Sequence, residues 1–185
     1  MLYLGIAERV TLYELLHRID LDLAAEVREA RCPHCGGPLC RAAYARQTGG
    51  GPSDLPAELK VRESLCCCRE GCRRRALPPS TLFLGRRLYW AGVIVLVVTL
   101  RQRRAEGASL SRLQKRFGVS RSTVARWMAW FAEVFPTTPL WKRIRGTVSP
   151  TVRDEQLPDS LVSLCESSTA DPQTALVNCL KLMAL

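Results

Sequence analysis

No stretch of this sequence reaches the roughly 20 apolar residues that a membrane-spanning helix needs. The most apolar run, Leu88 to Leu100, is 13 residues long and is flanked by Arg86, Arg87, Arg101, Arg103 and Arg104, so it reads as a buried helix. The N-terminus has no basic segment followed by a long apolar one, so no export signal is expected. Aromatic side chains are scarce at 6%, and three of the four tryptophans (Trp127, Trp130, Trp141) fall close together, which marks a packing centre. Acidic residues are nearly missing from one region. Residues 109–148 hold eight basic side chains and one acid, Glu133. No internal repeat is visible.

What is present is positive charge in the middle of the chain. The net charge of +10 is the balance of −2 over residues 1–31, +8 over 32–108, +7 over 109–148 and −3 over 149–185. A solvated basic face is the ordinary explanation of such a run. Clustering between acidic ends fits a polyanion better, because a phosphate backbone rewards grouped Arg and Lys through counterion release.

The chain has nine cysteines. Without an export route they are expected to stay reduced in the cytoplasm, which favours metal ligation over disulfides. Cys32-Pro-His-Cys35-Gly-Gly is a knuckle, two thiolates two residues apart followed by glycines that let backbone amides turn towards sulfur. Zinc takes four such ligands in a tetrahedron, usually from two knuckles distant in sequence. Cys66-Cys67-Cys68-Arg69-Glu70-Gly71-Cys72 supplies the second. The predicted site is Cys32, Cys35, Cys67 and Cys72 around one structural Zn2+, with Cys68 the alternative third ligand and Cys40 and His34 outside candidates. Cys165 and Cys179 read as small buried apolar residues. Nucleobase deaminases combine Cys-x-x-Cys with His-x-Glu or Cys-x-Glu. No His-x-Glu occurs here, and four thiolates fill the coordination sphere, so no catalytic role is expected.

Residues 7–31 predict a helix from Leu12, Leu15, Leu16, Ile19, Leu23 and Val27, with Thr11 and Glu14 as a capping box at its start. Residues 47–57 are the clearest loop, with short extended segments around 39–45 and 61–65. Three helices follow at about 86–105, 109–117 and 121–134. Pro136 and Pro139 are expected to break the chain, with the basic segment Trp141 to Arg145 leading into an extended stretch. Two short helices close the tail, about 158–167 and 172–184. Their apolar side chains either cap the preceding core or meet a partner.

The segment from Leu110 to Trp127 predicts a helix-turn-helix. Gly118 supplies a turn where positive φ is cheap without a side chain. Leu113, Phe117, Val119, Val124 and Trp127 take the packing positions, and Ser120 is a good N-cap. Ser120, Arg121, Ser122 and Arg126 are then candidate DNA contacts at the start of the second helix, with Ala125 on the same exposed face, where a recognition helix reads bases. Arg112, Lys115 and Arg116 would face the phosphate backbone; Arg73, Arg74 and Arg75 beside the second knuckle either grip phosphates as well or are solvated loop arginines. The helix at 86–105 is the third member of the tri-helical core. A tri-helical packing unit without DNA contact is the plainer alternative, and the lack of acids weighs against it.

The strings Cys32-Pro-His-Cys-Gly-Gly-Pro-Leu39, Cys68-Arg-Glu-Gly-Cys-Arg-Arg-Arg75, Pro78-Pro-Ser80, Phe83-Leu-Gly-Arg-Arg-Leu-Tyr89 and Leu157-Pro-Asp-Ser-Leu161 resemble small bacterial zinc-ribbon/helix-turn-helix proteins described as transposase-like or mobile-element-associated. The likeness runs from about residue 12 to 184, and Cys40 departs from it where His would be expected. It implies a mainly α fold with a small β zinc ribbon: an N-terminal helix and ribbon in 1–79, a tri-helical domain in 80–148 and a helical tail in 149–185. Acidic-triad transposases need a ribonuclease-H-like sheet of well over a hundred residues, and about 54 remain after the helix-turn-helix. The expected function is therefore double-stranded DNA binding by a targeting or regulatory protein of a mobile element, cytoplasmic and nucleoid-associated, with no membrane partner. Its expected protein partner is a second copy or a transposase or integrase. The alternatives are a transcriptional regulator, an assembly adaptor using the C-terminal helices and, last, a small metal-dependent nuclease or recombinase.

Overall fold

The computed structural model describes residues 5–184. The first four residues of the expected N-terminal module and Leu185 of the tail fall outside that range. Helix α1 (Val10–Glu29) comes first, then strands β1 (Leu39–Arg41), β2 (Tyr44–Ala45), β3 (Val61–Arg62), β4 (Leu65–Cys67) and β5 (Arg75–Ala76). Helices α2 (Ala91–Gln102), α3 (Leu110–Phe117), α4 (Arg121–Ala129), α5 (Pro139–Arg145), α6 (Asp159–Ser167) and α7 (Pro172–Ala184) complete the chain. The result is a mixed fold of helices and two small antiparallel sheets, ordered β1-β4-β5 and β2-β3.

Helix α2 is the axis. Every residue from Ala91 to Leu100 is buried, and α4, α6 and α7 pack around it. It is shorter than expected. Phe83 bridges Trp90 and Gly49 bridges Tyr89, so Arg86 to Tyr89 form a turn rather than a first helical turn. Arg103, just past α2, holds the tail by pairing with Asp159 (2.5 Å) and Glu166 (2.9 Å).

Helix α1 buries Leu12, Tyr13, Leu16, Asp20 and Ala24, a face rotated from the expected leucine stripe; Leu15, Ile19, Leu23 and Val27 are half-buried. Asp20 anchors that face. It accepts from the Thr81 amide (2.6 Å), the Thr81 hydroxyl (2.8 Å) and the Ser80 hydroxyl. Burial raises its pKa above the ordinary aspartate value, against the opposing pull of those hydrogen bonds. The expected capping box does not form. The helix begins at Val10 after Arg9, with no side-chain cap, and Thr11 lies inside it.

The glycine-rich loop is no passive linker, because it docks the sheets onto the helices. A Cβ on Gly51 would sit 2.5 Å from Trp90 Nε1 and 3.0 Å from the Tyr13 hydroxyl. Pro139 also departs from expectation: it starts helix α5 instead of ending structure. Pro fits the first helical position, where its missing N–H has no intrahelical partner, and Thr138 caps the helix by accepting from the Trp141 amide.

Candidate functional site

The two knuckles meet although about 30 residues separate them. In the first, the Gly36 amide donates to the Cys32 carbonyl at 2.8 Å and the Cys32 amide to the Gly37 carbonyl at 2.9 Å. In the second, the Cys67 amide donates to the Arg74 carbonyl at 2.8 Å and the Cys72 amide to the Arg69 carbonyl at 3.2 Å. Pairing of β1 with β4, with Leu39 opposite Cys67, brings the two turns together.

The sulfurs of Cys32, Cys35, Cys67 and Cys72 all lie within 4.8 Å of one another. Cys35 to Cys67 is 3.5 Å and Cys32 to Cys72 is 3.8 Å. Four thiolates about 2.3 Å from a tetrahedral metal stand about 3.8 Å apart. The dimensions fit. The space is also kept clear, since a Cβ on Gly37 would meet the Cys67 and Cys35 sulfurs at 3.1 and 3.2 Å. The Gly37 amide donates to Cys35 and, as the largest influence, draws its thiol down to about 7, whereas burial pushes the Cys67 thiol up to about 12. The cluster can therefore hold a metal ion.

Strand alternation decides between the two candidates for third ligand. Cys67 points into the cluster, while Cys66 and Cys68 take the other face. There Cys68 is joined to Cys40 in a disulfide with a Cα–Cα separation of 5.8 Å. This corrects the expectation that every cysteine stays a thiol. The β1–β4 register sets Cys40 opposite Cys66, so the bond to Cys68 runs diagonally from β1 to the residue just past β4, at a Cα–Cα separation within the usual disulfide range. His34 is outside the cluster, with its Nδ1 3.1 Å from an Arg74 guanidinium nitrogen. Cys165 and Cys179 are buried in the helical core, as expected.

The second region is α3, the turn Gly118-Val119-Ser120 and α4. Ser109 caps α3 by accepting from the Arg112 amide, and Gly118 ends it at φ +61°. Ser120 caps α4 by accepting from the Thr123 amide at 3.2 Å. Leu113, Phe117, Val119, Val124 and Trp127 are all buried, as the spacing predicts. Arg121, Ser122, Ala125 and Arg126 face solvent. Arg121 reaches the Ser111 hydroxyl at 3.3 Å and Arg126 the Thr123 hydroxyl at 3.0 Å. Among the described residues, neither is ion-paired.

The remaining predicted contacts divide. Arg112 and Lys115 are exposed. Arg116 is already engaged, with its Nη2 2.6 Å from a Glu8 carboxylate oxygen. The Ser120 hydroxyl is taken up by its capping role. Arg73, Arg74 and Arg75 stay on the cysteine module, with Arg74 at His34 and Arg75 above the Tyr44 ring. No hydrogen bond among the described residues links them to α3 or α4.

Two of the concavities among the described residues bear on function and were not foreseen. One, of about 470 Å³, lies between the turn at residues 86–89 and α4. Its signal in the sequence was Gly85, which separates Leu82-Phe83-Leu84 from Arg86 and Arg87. The other, of about 730 Å³ and mainly apolar, lies between α1 and the tail helices. Among the described residues, no helix is long and apolar enough to cross a membrane. No protein-family model matches the chain, and no curated protein or solved structure matches it either.

Proposed function

We propose that the chain is a sequence-specific double-stranded DNA-binding protein, in which α3 and α4 act as a helix-turn-helix and one structural zinc is held by Cys32, Cys35, Cys67 and Cys72. The observation that carries this reading is the exposed first half of α4. Its apolar side is sunk in the core, and its other side offers two arginines, a serine and an alanine with no acid attached. Arg can bond guanine bidentately in the major groove, and small neighbours let a helix approach the base edges. Arg112 and Lys115 supply phosphate contacts from α3. Zinc, when bound, cross-links two knuckles that a short sheet alone would hold weakly.

The protein carries no catalytic step of its own in this reading. Support comes from the all-thiolate cluster, whose four strong ligands fill a tetrahedral metal and leave no open position for a reacting water. A targeting or regulatory role for a mobile element, alone or beside a transposase or integrase, is the context suggested by the motif resemblance; a transcriptional regulator would use the same surface. The apolar concavity between α1 and the tail favours a further role in assembly, read by the size of the protein in solution. The DNA reading is tested by equilibrium binding at several salt concentrations. Affinity is expected to fall steeply as salt rises, and Arg121→Ala or Arg126→Ala to relax sequence preference. Salt-independent binding, or no binding, would overturn it.

A further inference from the structure

Beside α4 stands the turn that replaces the expected start of α2. Gly85 takes φ +61°, and the bridge between Phe83 and Trp90 closes the base of the turn. Arg46, next to β2, donates to the carbonyls of Gly85 (2.9 Å) and Arg87 (2.7 Å). The Gly49 amide donates to the Leu88 carbonyl at 2.8 Å. Arg87 lies 3.7 Å over the Trp130 ring, and Tyr89 meets Trp127 edge-on at 5.0 Å. The backbone and two of the four side chains are thus fixed from Arg46 and Gly49 on one side and from Trp127 of α4 and Trp130 just past it on the other.

The other two are displayed. Arg86 is exposed, and Leu88, at 66%, is the most exposed large apolar side chain among the described residues. Arg86, Leu88 and Arg126 line the 470 Å³ concavity together with Trp127 and Trp130. No carboxylate lines it, and residues 71–132 contain a single acid, Glu106. The leucine stands on a braced turn with Arg86, Arg87 and Arg126 beside it, and Tyr89, Trp127 and Trp130 line the same concavity. A cationic rim without a carboxylate suits a polyanion.

The geometry points to a second DNA contact, resting on the DNA-binding reading above. With α4 in the major groove, the turn enters the adjacent minor groove, where Arg86 follows the negative potential and Leu88 wedges into one base step and kinks the duplex. Apolar wedges beside cationic side chains are the device by which minor-groove proteins bend DNA. Because Arg46 holds the turn, the cysteine module sets its position relative to α4.

The test uses the full zinc-loaded protein and a duplex carrying its selected site, with donor and acceptor dyes at the ends and 2-aminopurine at steps flanking the core. The wild type is expected to shorten the end-to-end distance and to raise 2-aminopurine fluorescence at one flanking step. Leu88→Ala, a change at an exposed site, is expected to abolish both signals and weaken binding roughly tenfold, since a straight duplex lies against less of the protein than a bent one, while keeping discrimination among core sequences. Arg121→Ala is expected to lose core discrimination instead. A wild type that binds without bending, or a Leu88→Ala protein that bends normally, overturns the wedge and leaves the α4 reading intact. A wild type that binds no duplex overturns both.

Discussion

Glu8 controls how much positive charge α3 can offer a partner. Its carboxylate accepts from two nitrogens of Arg116, and that hydrogen bond holds its pKa below the usual glutamate value of 4.5. A lowered folded-state pKa means that the pair's contribution is present above 4.5 and is lost as pH falls through the depressed value. Both side chains are partly solvated, so the effect on stability is small. The larger consequence is for DNA. Glu8→Gln is expected to free Arg116, tighten binding and steepen the logarithmic salt dependence by about one unit. Binding isotherms at several salt concentrations check this, and an unchanged slope would count against Arg116 as a latent phosphate contact. The cysteine cluster gives a second prediction at this scale. Cys67→Ser is expected to lose the bound metal, whereas Cys68→Ser keeps one zinc per chain, measured by elemental analysis after dialysis. Equal loss in both would contradict the ligand set.

At the level of elements, α3 and α4 were legible because their ends are written locally. Ser109, Gly118 and Ser120 each act on backbone groups within a few residues, and the five apolar positions between them need only helical spacing. The knuckles were legible for the same reason. Other features depend on distant partners and left little local trace. The face of α1 is set by Thr81 reaching back to Asp20, and the start of α2 by Arg46 and Gly49 bracing the turn before it. Likewise the disulfide joins Cys40 not to Cys66, its partner in the β1–β4 register, but to Cys68 just beyond the strand, which no spacing rule specifies. Residues 47–57 were readable as a loop, but the demand for glycine is made by Trp90, which is buried and cannot retreat. Gly51→Ala is therefore expected to lower stability by about 2 kcal/mol through overpacking. A urea midpoint unchanged from wild type would show that the loop is not fixed there.

Across the whole molecule, charge is divided between internal fastening and display. The acidic ends are partly spent inside: Glu8 on Arg116, and Asp159 and Glu166 on Arg103. The basic centre keeps Arg112, Lys115, Arg121, Arg126 and Arg86 open to solvent. Two knuckles brace the small sheets, the sheets brace the turn beside α4, and α2 seats α4 in the core. The whole scaffold thus converges on one helix face. The most direct measurement is selection of bound duplexes from a random pool by the wild type and by a protein carrying both Arg121→Ala and Arg126→Ala. The wild type is expected to enrich one short motif, and the double variant to keep salt-sensitive binding while enriching none, since each bidentate Arg–guanine pair is worth about 1–3 kcal/mol of discrimination. The same motif from both proteins, or none from the wild type, would contradict α4 as the reading element.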